Sequence, residues 1–212
     1  MKKYIDIESW PRKDQYKLFK QMDYPHFSIC ANVDITKMYS YIKEKDISFF
    51  KAMIFFTSKI ANNITEFKYR MEGDKVAQYD FIHPSFTFLT QSEVFSFCNV
   101  DYTDDFSCFL KRVEEKIELL NGKVDIEDEP NRDDRIFMTS IPWVSFTSVT
   151  HPINLSSVDS IPRIAWGKYF EENGKLKLPV SVQVNHSMMD GLHVGRYFSL
   201  LQDSLDDPSK HL

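Results

Sequence analysis

The chain has 212 residues, a formal net charge of −5, and 42% hydrophobic and 15% aromatic residues, including 18 Phe. That length suits one domain, residues 1–212, with a sizeable core, and the aromatic load suits either that core or an oligomer interface. The acidic balance without a dense basic cluster excludes general nucleic-acid binding, and the longest apolar run, Ala52 to Phe56, is too short to cross a bilayer.

The N-terminus, Met1-Lys2-Lys3-Tyr4-Ile5-Asp6, is charged and lacks an apolar signal core. Ser9 is placed to cap a short helix with Pro11 in its first turn. Asp34 is placed to cap a second, with Ile35, Met38, Tyr39 and Ile42 on one stripe. Phe49, Met53, Phe56, Ile60 and Ile64 keep helical spacing and predict a buried third helix. Tyr79 to Phe81, Phe86 to Leu89 and Val94 to Val100 read as strands. Asp104 or Asp105 opens a helix through Leu110, Val113, Ile117 and Leu120. The acidic stretch Asp125 to Asp134 reads as a solvated loop.

The last third reads mostly as strand, over Phe137 to Ser148 and Arg163 to Tyr169. Glu171-Glu172-Asn173-Gly174 is a hairpin turn signal. Leu176, Leu178, Val180, Val182 and Val184 alternate with Lys177, Pro179, Ser181 and Gln183, which predicts a half-buried strand. Val194, Tyr197, Phe198, Leu201 and Leu205 mark a final helix. Helices with a largely non-βαβ sheet make the class α+β: a two-layer mixed β-sheet with helices on one face.

Three cysteines, Cys30, Cys98 and Cys108, are odd in number and lack metal-ligand spacing, which suits a reducing cytoplasm. Six glycines form neither Gly-x-Gly-x-x-Gly nor a Walker loop. No Gly-x-Ser-x-Gly elbow is present. What remains is Gln183-Val184-Asn185-His186-Ser187-Met188-Met189-Asp190-Gly191. His186 stands where a strand ends and a turn begins, a rigid mount beside open space. A neutral imidazole, with an ordinary pKa of roughly 6.5, accepts a proton near neutral pH. A structural histidine is the plainer alternative. Asp190 is explained equally by an Asp-Gly turn or a helix cap. His193 with His186 and Asp190 is a weak metal set, since no further ligand is evident, and no metal is expected.

The stretch Val182 to Arg196 resembles the active-site signature of the chloramphenicol acetyltransferase family. Trp10-Pro11-Arg12-Lys13, Phe67 to Met71, Asp80 to Thr87, Ile141 to Ser148 and Gly167-Lys168-Tyr169 resemble other family segments in the same order. The similarity covers nearly the whole chain. His-x-x-x-Asp-Gly alone is shared with dihydrolipoamide acyltransferase cores, so the ordered set carries the specificity.

The resemblance implies an acetyl-CoA-dependent O-acetyltransferase of cytoplasmic antibiotic resistance, acting on chloramphenicol or a related small acceptor. It implies a homotrimer with active sites at subunit interfaces. His186 becomes the general base, its tautomer held by a bond from the ring to its own carbonyl. Asp190 pairs with Arg12 in support of the loop. Thr139 takes the place of the family's oxyanion serine. Phe19, Phe27 and Phe137 become acceptor walls, and Lys168 and Tyr169 CoA contacts. Several positions depart from the family: Ala165 replaces a water-holding threonine, Asn185 the first histidine of a His-His pair, and Lys51 a proline. Asp23, Pro25, His151 and Arg163 alter the acceptor pocket. These departures keep two alternatives open, a same-fold acyltransferase with another alcohol or a thiol acceptor, and a weakly active ligand-binding paralogue.

Overall fold

The strongest alternation in the sequence becomes an interior strand, next to one edge, of a seven-stranded sheet. In the computed structural model, which describes residues 1–120, 122–127, 129, 132–155 and 159–212, the elements run in chain order as follows. β1 (Lys2–Tyr4), α1 (Lys13–Phe19), β2 (His26–Asp34), α2 (Thr36–Glu44) and α3 (Phe49–Asn62) form the first third. β3 (Tyr69–Glu72), β4 (Lys75–Tyr79), β5 (His83–Leu89), β6 (Phe95–Asn99) and α4 (Phe106–Leu120) follow. β7 (Arg135–Ser140), β8 (Arg163–Trp166), β9 (Phe170–Glu172), β10 (Lys175–Asn185) and α5 (Gly191–Asp206) complete the chain.

The main sheet has the order β2-β10-β8-β7-β5-β6, with β9 paired to β10. β7 runs parallel to β5 and β8, and the other pairings are antiparallel. A smaller antiparallel sheet has the order β1-β4-β3. Leu178, Val180, Val182 and Val184 are fully buried with Met38, Ile42, Met53, Phe56, Val194 and Leu201 in one apolar cluster. The helices α2, α3, α4 and α5 pack on that face of the mixed sheet, and the class is α+β.

The reverse face departs from the half-buried expectation. Ser181, Gln183 and Asn185 are as buried as the valines between them. Loop segments cover them: His151 N donates to Gln183 Oε1 at 2.8 Å, and Asn185 Nδ2 donates to Asp159 O at 2.9 Å. Because these buried polar groups find partners, the strand tolerates cover on both faces.

Local signals fared unevenly. The hairpin turn places Asn173 at φ 53° and Gly174 at φ 73°, the left-handed pair that the Asn-Gly signal encodes. Asp34 caps α2 from one residue further back: its Oδ1 accepts from Thr36 N at 3.0 Å and Thr36 Oγ1 at 2.6 Å. Asp105 caps α4 through Cys108 N at 2.7 Å. Ser9 does not cap a helix. Its hydroxyl turns back to Asp6 Oδ2 at 2.9 Å, and α1 begins only at Lys13. The expected strand over Phe137 to Ser148 stops at Ser140. Pro142 has no N–H to continue the ladder, and residues 141–150 run as turns and irregular chain. Within the acidic stretch, residues 128, 130 and 131 lie outside the described residues. Glu129 and Asp134 there are paired with Arg135 and Arg132 rather than merely solvated.

Candidate active site

His186 follows the last residue of β10, and its backbone N–H donates to Pro25 O at 2.7 Å, which continues the pairing of β10 with β2. Its side chain is about one-third exposed. The Phe19 ring lies flat on the imidazole, with centroids 3.8 Å apart and planes at 7°. The Phe27 ring packs from the side at 4.6 Å. Both phenylalanines therefore clamp the histidine.

The ring orientation differs from the implied bond to the residue's own carbonyl. His186 Nδ1 lies 3.1 Å from Met189 O and 3.2 Å from Asp190 Oδ1. A carbonyl oxygen only accepts, so this placement suits the tautomer with its proton on Nδ1 and the lone pair on Nε2. The histidine's own carbonyl is taken by Arg12, whose Nη2 reaches it at 2.5 Å.

Arg12 organises the whole turn. Its guanidinium meets both Asp190 oxygens, Oδ1 at 2.6 Å and Oδ2 through a closer contact, while Nε donates to Ser187 O at 3.1 Å. The hydrogen bond from Arg12 holds the Asp190 carboxyl below the usual carboxylate range, against the opposing effect of burial. His193, on the first turn of α5, accepts from Asp190 N through Nδ1 at 2.9 Å. Its Nε2 lies 3.4 Å from Glu66, so it serves the helix start. Among the described residues, no group of three or more His, Cys, Asp or Glu is arranged to hold a metal ion.

Thr139 lies elsewhere. It sits on β7 in register with Ala165 of β8, which pairs with Ser181 of β10. Two strand spacings and the five residues from Ser181 to His186 put Thr139 about 19 Å from the imidazole. Thr139 and Phe137 line a cavity of about 1140 Å³ on the reverse face, with Phe50, Thr87, Trp143, His151 and Arg163. One chain thus brings together His186, Arg12, Asp190, Phe19 and Phe27, and separately Thr139 and Phe137.

Lys168 and Tyr169 stand beside the second group. Lys168 N donates to Val144 O at 2.8 Å, next to Trp143 on the cavity wall, and its side chain is exposed. The Tyr169 hydroxyl lies 3.2 Å from that of Tyr39, and its ring packs on Tyr39 and Phe49.

A family model described as chloramphenicol acetyltransferase matches residues 2–202. The chain belongs to the chloramphenicol acetyltransferase family. It is 29% identical over 204 residues to a chloramphenicol acetyltransferase of Bacillus pumilus, covering 95% of this chain and 92% of that protein. Identity to one of Clostridium perfringens is 32% over 206 residues, 94% of this chain and 92% of that protein. A solved chloramphenicol acetyltransferase structure, 26% identical, superposes with a TM-score of 0.85 over 97% of this chain and 100% of that one. A dihydrolipoamide acetyltransferase of Azotobacter vinelandii, 16% identical, shares the fold with a TM-score of 0.68 over 93% of this chain and 87% of that one. Membership in the chloramphenicol acetyltransferase family makes the protein an acyltransferase.

Two features of the site have no counterpart in the sequence reading. The face-to-face Phe19–His186 stack joins α1 to the end of β10, a contact that no local pattern encodes. The Asp159–Arg163 pair fixes a buried cation at the cavity wall. Its i,i+4 spacing was visible, but only a helix makes that spacing a signal, and this segment is not helical.

Proposed function

We propose that this protein transfers acetyl from acetyl-CoA to a hydroxyl of chloramphenicol or a related small acceptor, with His186 as general base. The observation that carries the reading is the held imidazole: Nδ1 lies 3.1 Å from Met189 O, which suits a proton on Nδ1 and leaves Nε2 for the substrate, and the ring is clamped by Phe19. His186 Nε2 removes the acceptor proton as the hydroxyl oxygen attacks the thioester carbonyl. The Asp190 carboxylate, 3.2 Å from Nδ1, stabilises the imidazolium that forms. Thr139 donates its hydroxyl to the carbonyl oxygen as negative charge develops there. The imidazolium then returns its proton to the departing thiolate. Positioned acid–base groups typically contribute about 10²–10⁴-fold, and an oxyanion donor about 10²–10³-fold.

Two groups about 19 Å apart in one chain act together only if a neighbouring copy supplies one of them. Two exposed apolar patches support this. One, with Leu89, Val94, Phe95, Ile126 and Trp143, includes cavity-lining residues; the other, with Leu18, Met22 and Tyr24, lies on and after α1 near His186. A contact between two different patches is heterologous, and closed by rotation it forms a ring. The reading is therefore a homotrimer with three interfacial sites. The cavity exceeds the roughly 300–1,000 Å³ typical of one drug-sized ligand, which suits two substrates meeting. The exposed side chains of Lys168 and Tyr169, on a segment bonded to Val144 beside the cavity residue Trp143, suit a phosphate and a purine of acetyl-CoA, which supplies the activated acyl group. Among the described residues no helix is long and apolar enough to cross a membrane. The three cysteines are free, which suits the cytoplasm.

The test is CoA release from acetyl-CoA with chloramphenicol and a panel of hydroxylated acceptors. Turnover that collapses in His186→Ala supports the reading, and undiminished turnover in that variant contradicts it. Arg163 at the cavity wall favours the second reading, an acyltransferase of the same mechanism with a more polar acceptor.

A further inference from the structure

The cavity beside Thr139 is apolar along most of its wall, and Arg163 interrupts it. Arg163 lies two residues before Ala165 on β8, in register with Phe137, which lies two residues before Thr139 on β7. Residues two apart on a strand share a face and stand about 7 Å apart. Arg163 thus occupies the same face as Thr139, one step along.

The guanidinium is held still. Nη1 donates to Asp159 Oδ1 at 3.0 Å and to Ile161 O at 2.9 Å, Nη2 donates to Asp159 Oδ2 at 2.5 Å, and the group lies 5.3 Å from the centre of the Phe137 ring. Its side chain is only 9% exposed, yet it lines the cavity. His151 lines the same cavity, fastened through its backbone to Gln183. Its Nε2 is buried and has no hydrogen-bond partner among the described residues. Burial, and then the Arg163 charge, push the His151 pKa down, so the ring is neutral at pH 7. The Asp159 carboxylate pairs with Arg163 and also opposes the lowering of the His26 pKa by burial. His151 therefore stands near the Arg163–Asp159 ion pair in a mostly apolar cavity whose wall also carries Glu93, Ser85 and Thr87. Arg163 is already paired with Asp159, but an unpaired buried ring nitrogen is unfavourable in such a place unless a ligand oxygen accepts from it.

We propose that Arg163 and His151 form a polar anchor that selects acceptors carrying an electron-rich oxygen group, a carboxylate foremost, at the end away from the hydroxyl to be acetylated, with Arg163 about 7–8 Å from Thr139 along the sheet. The proposal rests on the acyl-transfer reading and adds the substrate class. The two side chains bind the far end of the acceptor and leave the reacting atoms to His186 and Thr139. The aromatic Phe137 wall between anchor and Thr139 suits an aryl spacer.

The test compares para-(hydroxymethyl)benzoate with para-methylbenzyl alcohol, which share shape and hydroxyl and differ at the distal group. The wild-type protein is assayed for kcat/KM, and the His186→Ala protein for affinity by calorimetry. A preference for the carboxylate of at least about tenfold is expected in both assays. His151→Leu and the charge-neutral pair Arg163→Met with Asp159→Asn should each reduce that preference about tenfold, read as the ratio of the two acceptors within each variant. The double change avoids stranding Asp159. Equal handling of the two acceptors by wild type, failure of the His186→Ala protein to bind either, or an unchanged preference in both variants overturns the anchor. Preferential binding without turnover would leave the anchor standing and overturn the acyl-transfer reading instead.

Discussion

Arg12 and Asp190, 178 positions apart in the chain, form a two-pronged ion pair that also fixes the carbonyls of His186 and Ser187. The arginine is buried and the carboxylate half-buried. Removing one partner strands the other and, for Arg12, frees two carbonyls as well. Arg12→Ala should therefore destabilise by about 2–3 kcal/mol, below the full buried-pair cost because water reaches Asp190. Asp190→Asn should cost less, since Arg12 keeps its carbonyl contacts. Urea unfolding of both singles and the double variant tests the contact, and plain additivity would refute it. Activity should drop about 10²-fold in Arg12→Ala through displacement of the imidazole.

Thr139 offers a hydroxyl with an extra methyl compared with the serine it replaces in the family pattern. Thr139→Ser keeps the donor and should retain kcat within a few-fold. Thr139→Ala should lower kcat about 10²–10³-fold with little change in KM. Steady-state kinetics distinguish these outcomes, and a fully active alanine variant would remove Thr139 from the mechanism.

Gly167 is confined by its neighbours. A Cβ there would fall 2.6 Å from Val144 O and 2.9 Å from Pro179 Cγ. The first contact is with backbone and has little room to yield. Gly167→Ala should cost about 1–3 kcal/mol by overpacking. Because Lys168 and Tyr169 follow directly, KM for acetyl-CoA should rise more than KM for the acceptor. Equal rises would detach the Lys-Tyr pair from CoA binding.

His26 and His151 give the fold an acid sensitivity. Burial lowers both pKa values; for His26 Asp159 opposes the shift and Arg163 adds to it, and for His151 Arg163 adds to it. An unfolded imidazole protonates near pH 6.5, so below that the unfolded chain holds more protons and stability falls as pH falls. His26→Phe with His151→Leu should flatten the decline in unfolding free energy between about pH 7 and pH 5. His83 and His211, also lowered chiefly by burial, leave part of the slope in place. A double variant with the parental slope would show that neither ring is held neutral.

Much of the scaffold was legible because its signals are local. The Phe49–Ile60 periodicity, the Leu178–Val184 alternation and the Asn173-Gly174 turn each depend on neighbours in sequence. Ser9 and residues 141–148 depart from their local propensity because tertiary demands override it: Ser9 turns to Asp6, and the chain after Pro142 leaves the sheet. The His186 end was legible through its ordered motifs. Sheet register decides that Thr139 lies far from His186, and the polar anchor depends on loop cover over β10. Neither has a sequence period to reveal it.

The central claim, that His186 of one subunit works with Thr139 of the next, is tested most directly by mixed trimers. His186→Ala and Thr139→Ala proteins, each inactive alone, are unfolded together in equal amounts, refolded and assayed for CoA release. If the two groups meet across interfaces, random assembly gives about a quarter of the sites an intact pair, and activity returns to about that fraction of wild type. If each site is built within one chain, every site lacks one group, and the mixture stays as inactive as its components.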